Sequence, residues 1–88
     1  MDLAGQFGDN LTRVRKQAGL SQEQLGYWAS LHRTEISQLE RGLRIARLDT
    51  VLKLAAVLEV GLNELVAGID WVQGDAPRFG HFEEADRG

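Results

Sequence analysis

Between His32 and Arg47 the chain concentrates hydrogen-bonding side chains, the donors Arg33, Arg41, Arg44 and Arg47 with Thr34, Ser37 and Gln38, which both donate and accept. On a helix Arg33, Thr34, Ser37 and Gln38 fall on one face, opposite Ile36 and Leu39. Their chemistry matches the edges of base pairs. Arg33 can bond bidentately to guanine O6 and N7, Gln38 to adenine N6 and N7, and Thr34 can offer its methyl group to thymine. One good bidentate pair discriminates by about 1–3 kcal/mol. Glu35 can accept from cytosine N4 or point to solvent. Arg41, Arg44 and Arg47 follow in a loop, where positive side chains can straddle a run of phosphates, and Arg44 is the best placed of the three.

Catalytic chemistry finds no such concentration. His32 and His81 are isolated in sequence, and no Ser/His/Asp arrangement has independent support. Ten glycines are present, yet none forms a phosphate-cradling or dinucleotide-binding pattern. A lone histidine at a helix start, as His32 is, acts as a cap or a phosphate contact far more often than as a metal ligand. No enzymatic activity, catalytic residue, metal, cofactor or small-molecule ligand is expected.

The elements that must hold these groups can be read from the same stretch. Ser21 can cap a helix beginning at Gln22, with Gln24 at the third helical position completing a capping box. Leu25 and Ala29 give that helix a narrow apolar stripe. After a break at Ala29-Ser30-Leu31, a second short helix carries Ile36 and Leu39 and stops at Gly42, where a left-handed cap suits a residue without Cβ. This layout is a helix-turn-helix, which implies reading of duplex DNA. Neither piece persists alone, because isolated helices shorter than about 12–15 residues are marginal in water. Phe7, Leu11, Val14 and Ala18 upstream, and Leu48 to Leu58 and Leu62 to Val66 downstream, supply the surfaces they pack on. Five helices are predicted, at about 4–18, 22–29, 33–41, 48–59 and 62–68.

With 88 residues and 43% hydrophobic content the chain can bury one modest core. No apolar run reaches the roughly 18 residues of a membrane span, and the start has no signal-like pattern, so a cytoplasmic, nucleoid-associated location is expected. The absence of cysteine excludes disulfides and thiolate zinc sites. A prokaryotic cytoplasm fits. The net charge of −3 hides a division: residues 13–53 hold eight Lys/Arg against four Asp/Glu, whereas residues 54–88 hold two against seven. Since salt screens charge beyond about 8 Å, the local basic face governs what phosphates feel.

From Asn10 to Leu65 the sequence resembles the lambda-repressor-like, Cro/Xre class of helix-turn-helix DNA-binding domains. The matching residues are Arg15, Gly19-Leu20-Ser21-Gln22, Leu25, Ala29, Ile36-Ser37, Leu39-Glu40-Arg41-Gly42 and Leu48-x-Thr50-x-x-Lys53-Leu54-Ala55. The resemblance implies an all-α, compact five-helix bundle in which helix 33–41 enters the major groove. It implies base contacts from Arg33, Thr34, Ser37 and Gln38, and phosphate contacts from Gln22, His32, Arg41, Arg44 and Arg47. It also implies a structural salt bridge between Arg15 and Glu40. The function so implied is a sequence-specific transcriptional regulator, a repressor, binding a palindromic operator as a homodimer.

Departures from the family pattern have physical consequences. Ser30 stands where the turn usually has glycine, so it is expected to accept a positive φ. Gly26 stands where alanine is common, permitting a close helix crossing. His32 takes the usual Ser/Thr cap position, and Ala46 replaces a frequent proline. Trp28 falls where a polar residue is usual, and it is expected to lie as a lid over the first helix, with a partner surface as the alternative.

Residues 1–68 are expected to form the DNA-binding domain, followed at 69–88 by a short irregular or extended tail. Ile69, Trp71, Val72, Phe79 and Phe82 make this tail too apolar for plain linker. Ile69 to Val72 and Phe79 to Phe82 can form extended segments that pack on the fifth helix or pair across a dimer, or the tail can fold back on its own domain. A dimer or partner surface is expected at Leu65, Ile69, Trp71, Phe79 and Phe82, with Glu83 to Gly88 fraying. The competing function is a protein-interaction module, such as an antitoxin-like partner, on the same scaffold.

Overall fold

The computed structural model describes residues 2–76 and 78–84. Five helices, α1 (Leu3–Gln17), α2 (Gln22–Ala29), α3 (Arg33–Glu40), α4 (Leu48–Leu58) and α5 (Leu62–Leu65), are followed by strands β1 (Ile69–Gln73) and β2 (Gly80–Glu84). The predicted capping box is present: Ser21 Oγ accepts from the Gln24 N–H at 3.0 Å, and Gln24 Oε1 accepts from the Ser21 N–H at 2.8 Å. The cap fixes the start of α2 at the predicted residue.

The core gathers one stripe from each helix. Phe7, Leu11 and Val14 of α1 meet Leu25 and Ala29 of α2, Ile36 and Leu39 of α3, Leu54, Ala55 and Leu58 of α4, and Leu65 of α5. Leu48 and Leu52 of α4, together with Leu62 and Val66, face outward instead of joining the core as their spacing predicts. The apolar surface of α4 is broader than the bundle can cover. Ser30 caps α2 with φ 57°, as its place in the turn requires, and Gly42 follows α3 with φ 70°.

Two helix crossings are close enough to bring backbone against backbone. A Cβ on Gly26 would lie 2.7 Å from the Leu31 carbonyl oxygen, so the predicted tight approach at this position is real. A Cβ on Gly8, in the middle of α1, would lie 2.5 Å from the carbonyl oxygen of Leu39 and 2.6 Å from that of Glu40. Here α1 rests directly on the C-terminal turn of α3.

The fifth helix ends earlier than predicted, at Leu65 rather than residue 68. The buried amide of Asn10 accounts for the difference: its Nδ2 donates to the carbonyls of Leu65 at 3.0 Å and Ala67 at 2.8 Å. Those oxygens are satisfied by α1, and the chain turns at Gly68 into β1.

The tail is a regular antiparallel hairpin pairing Ile69 with Glu84, Trp71 with Phe82 and Gln73 with Gly80. The two segments expected to be extended are therefore strands, and Glu83 and Glu84, expected to fray, are paired; residues 85–88 lie outside the described residues. The hairpin folds back on α1 rather than α5. Ile69 packs against the core, and with Phe82 it closes an apolar crevice of about 340 Å³ against Leu3, Phe7 and Ile45. Leu65 is fully buried in its own domain, so the expectation that it belongs to a dimer or partner surface is corrected.

Candidate nucleic-acid interface

The axis of α3 is set by an ion pair and hydrogen bonds around its last residue. Arg15 of α1 grips Glu40 with both prongs of its guanidinium, Nε to Oε2 at 2.6 Å and Nη2 to Oε1 at 3.0 Å. Its remaining nitrogen, Nη1, donates to the Leu20 carbonyl at 2.8 Å. Gln22 Nε2 adds a bond to Glu40 Oε1 at 3.1 Å. Both charged side chains are largely removed from water, 11% exposed for Arg15 and 5% for Glu40. Burial pushes the Glu40 carboxyl upward in pKa, but the hydrogen bonds from Arg15 and Gln22 and the charge of Arg15 outweigh it. The group is held below the ordinary carboxylate range.

At the other end of α3, His32 caps the helix through its ring. Nδ1 accepts from the Thr34 N–H at 3.1 Å, which requires the unprotonated nitrogen there and leaves Nε2 to donate outward. Arg33 and Thr34 are exposed, and Ser37 and Gln38 are half-buried beside them. These four occupy the face opposite Ile36 and Leu39, which are buried in the core. Their donors and acceptors are thus presented on one side of a helix braced at both ends.

The positive groups surround that face. Arg44 Nη1 lies 3.4 Å from Gln38 Oε1, so the loop after α3 brings a guanidinium beside one of the four polar side chains. Arg41 closes α3 as its C-cap residue and is exposed. Arg47 is drawn instead toward Asp49, at 3.3 Å, on the exposed start of α4. Gln22 stands at the N-terminus of α2 with one amide hydrogen committed to Glu40 and, among the described residues, no partner for the other.

Trp28 does not lie over α1. It is 67% exposed, stacked edge-on against the exposed Tyr27 with ring centroids 5.4 Å apart, and it borders a shallow depression with Leu20, Ala56 and Val57. The buried side of α2 is centred on Leu25, Gly26 and Ala29, and Trp28 projects about 100° away from it around the helix. Asn10 and Gly8 are the positioning residues that sequence reasoning passed over. The available signal was a polar residue and a glycine within the Phe7-Leu11-Val14 stripe, where side-chain bulk and apolarity are otherwise the rule.

Comparison with known proteins agrees with this geometry. Residues 6–67 match the family model described as a helix-turn-helix domain. The chain is 38% identical over 61 residues to the control protein C.BamHI of Bacillus amyloliquefaciens, covering 68% of this chain and 75% of that protein. Its fold is similar to the crystal structure of the restriction-modification controller protein C.AhdI from Aeromonas hydrophila: TM-score 0.68, 39% identity, 70% of this chain and 94% of the other. It is also similar to SinR, described as the master regulator for biofilm formation and solved in complex with DNA: TM-score 0.66, 28% identity, 68% of this chain and 97% of that one. The capped pair α2–α3, the Arg15–Glu40 brace and these likenesses together establish that the chain belongs to the helix-turn-helix family, in its Cro/Xre-like branch.

Proposed function

We propose that this protein is a sequence-specific double-stranded DNA-binding transcriptional regulator, a repressor, that places α3 in the major groove as a homodimer on a palindromic operator. The observation that carries the reading is the polar face of α3, held at one end by His32 and at the other by Glu40, with Arg41 and Arg44 at its margin. Arg33, Thr34, Ser37 and Gln38 read bases; Gln22, His32, Arg41, Arg44 and Arg47 hold phosphates. Residues 1–68 form the DNA-binding unit and residues 69–88 the segment that adds a second subunit or partner. Exposed Leu48, Leu52, Leu62, Val66, Trp71, Phe79 and Phe82 support self-association, because so much uncovered apolar surface is uncommon on a monomer. The site of action is the nucleoid in the cytoplasm.

Selection of bound duplexes from a random pool, followed by sequencing, tests the proposal. A palindromic consensus is expected; an unstructured pool overturns sequence-specific reading and favours the protein-interaction alternative. Affinity for the selected duplex should fall with salt. With Arg41, Arg44 and Arg47, once Arg47 leaves Asp49, each on a phosphate, a dimer gives a slope of about −5 in log K against log salt. Arg44→Ala should flatten that slope by about 2 and weaken all sequences alike, while Arg33→Ala should relax preference at one base pair of each half-site. Equal loss on operator and random DNA for Arg33→Ala removes it from the readout set.

A further inference from the structure

The hairpin carries an open edge with a definite pattern. Because the Gly74 N–H donates to the Phe79 carbonyl, the antiparallel alternation makes Val72 with His81 and Asp70 with Glu83 the hydrogen-bonded pairs. Gly80, Phe82 and Glu84 then direct their N–H and C=O groups away from β1. Among the described residues no backbone hydrogen bond reaches these groups, and the sheet has only two strands. Two-stranded hairpins are marginal alone, and an unpaired edge is a template for another strand.

We infer that β2 pairs antiparallel with β2 of a second copy about a two-fold axis at Phe82, giving a four-stranded sheet in the order β1, β2, partner β2, partner β1. The inference rests on the dimeric reading above and says where the subunits join. The occupant is chosen by charge and shape. This centre is the one that pairs β2 over its full length, Gly80 to Glu84, and it bonds the three residues whose backbone groups are free. It also sets His81 opposite Glu83 of the second copy in a non-hydrogen-bonded pair, the kind in which side chains come closest. Within one chain His81 Nε2 already lies 3.1 Å from Glu83 Oε2, and Asp70 sits across from Glu83 on the same face. With this axis each Glu83 faces an imidazole of the second copy rather than another carboxylate. An axis at residue 81 or 83 would instead bring His against His or Glu against Glu.

The opposite face agrees. Trp71 and Phe82 are T-shaped neighbours, ring centroids 5.1 Å apart, and stand 52% and 41% exposed. An axis at Phe82 extends this pair into a row of four rings across the sheet. The symmetry of the contact is that of the commonest oligomers.

Cysteine pairing in the full chain tests the register. Residue 81 of one copy and residue 83 of the other fall about 4.5 Å apart at Cα, inside the range of a disulfide. Two copies of residue 81, or two of residue 83, are displaced by two residues and stand about 8 Å apart, outside it. Mixed His81→Cys and Glu83→Cys chains should therefore cross-link to a covalent dimer under mild oxidation, while each alone should not. Charge exchange gives a second readout. His81→Glu and Glu83→Lys should each weaken dimerisation about 2- to 30-fold, and the double variant should restore it. No cross-link in the mixture, equal cross-linking by each chain alone, or additive losses in the double variant overturns the inference. Sedimentation of the unmodified protein with and without operator separates the two readings: a dimer that fails to cross-link refutes the hairpin register alone, whereas a monomer on DNA refutes the dimer itself.

Discussion

Removing the carboxylate of Glu40 leaves a guanidinium in the protein with two of its hydrogen bonds lost and 11% of its side chain open to water. Taking one partner from a buried ion pair costs about 3–5 kcal/mol, and the partial access of Arg15 places Glu40→Ala near the lower figure, about 3 kcal/mol. An 88-residue domain has only about 4–13 kcal/mol to lose. At this size about 4 °C or more of melting temperature goes with each kcal/mol, so Tm should fall by at least roughly 12 °C. Urea unfolding at pH 7, followed by circular dichroism, measures the loss. Replacing both partners, Arg15→Met with Glu40→Met, should cost less than the two single changes added together, because no charge is left stranded. Acid provides a further check. Glu40 is held below the ordinary carboxylate range, so the unfolded chain takes up its proton first as pH falls. The contribution of the pair is full above about pH 4.3 and fades as pH drops through the depressed native value. The gap between the wild type and Glu40→Gln should shrink over that window. A loss below 1 kcal/mol for Glu40→Ala, or a gap unchanged from pH 7 to pH 2, would refute this account of the brace.

Gly8→Ala should destabilise by about 1–3 kcal/mol in the same urea assay, since its methyl meets two carbonyl oxygens of the α3 backbone at 2.5 and 2.6 Å; no loss would mean the helices can part freely. Asn10→Ala should cost about 1–3 kcal/mol and raise amide exchange at the end of α5, where the Leu65 and Ala67 carbonyls lose their donor. Ser30→Gly should stabilise by about 0.5–1 kcal/mol, because φ 57° strains a residue with Cβ, and a lowered Tm would contradict that.

Much of the motif was legible because its signals are local. Ser21 with Gln24 fixes the start of α2, Ser30 and Gly42 mark the turn and the stop, and the alternation of polar and apolar positions in α3 separates its two sides. What sequence reasoning missed depends on neighbours distant along the chain. The early end of α5 follows from an amide 55 residues away in α1. Leu65 carries the same apolar side chain whether it lines the core or a surface, and only the packing of five helices decides. Trp28 is expected as a lid over α1 because it replaces a usual polar residue, yet its angle around α2 turns it from the bundle. Among the candidate site residues, Gln22 has a second engagement with Glu40 that its position at a helix start did not reveal.

The meeting of α1 with α3 at Gly8 has a mechanical meaning. Where backbone touches backbone, no side chain is left between the helices to swing aside, and the Arg15 fork ties down Glu40 in the same turn. The two helices therefore move as one lever with little compliance of its own. On the proposed operator, an ill-spaced or wrongly twisted half-site cannot be met by a tilt of α3 within its domain. The accommodation has to come from bending of the duplex or from play at the junction between subunits, so stiffness of the spacer DNA becomes part of what this protein selects.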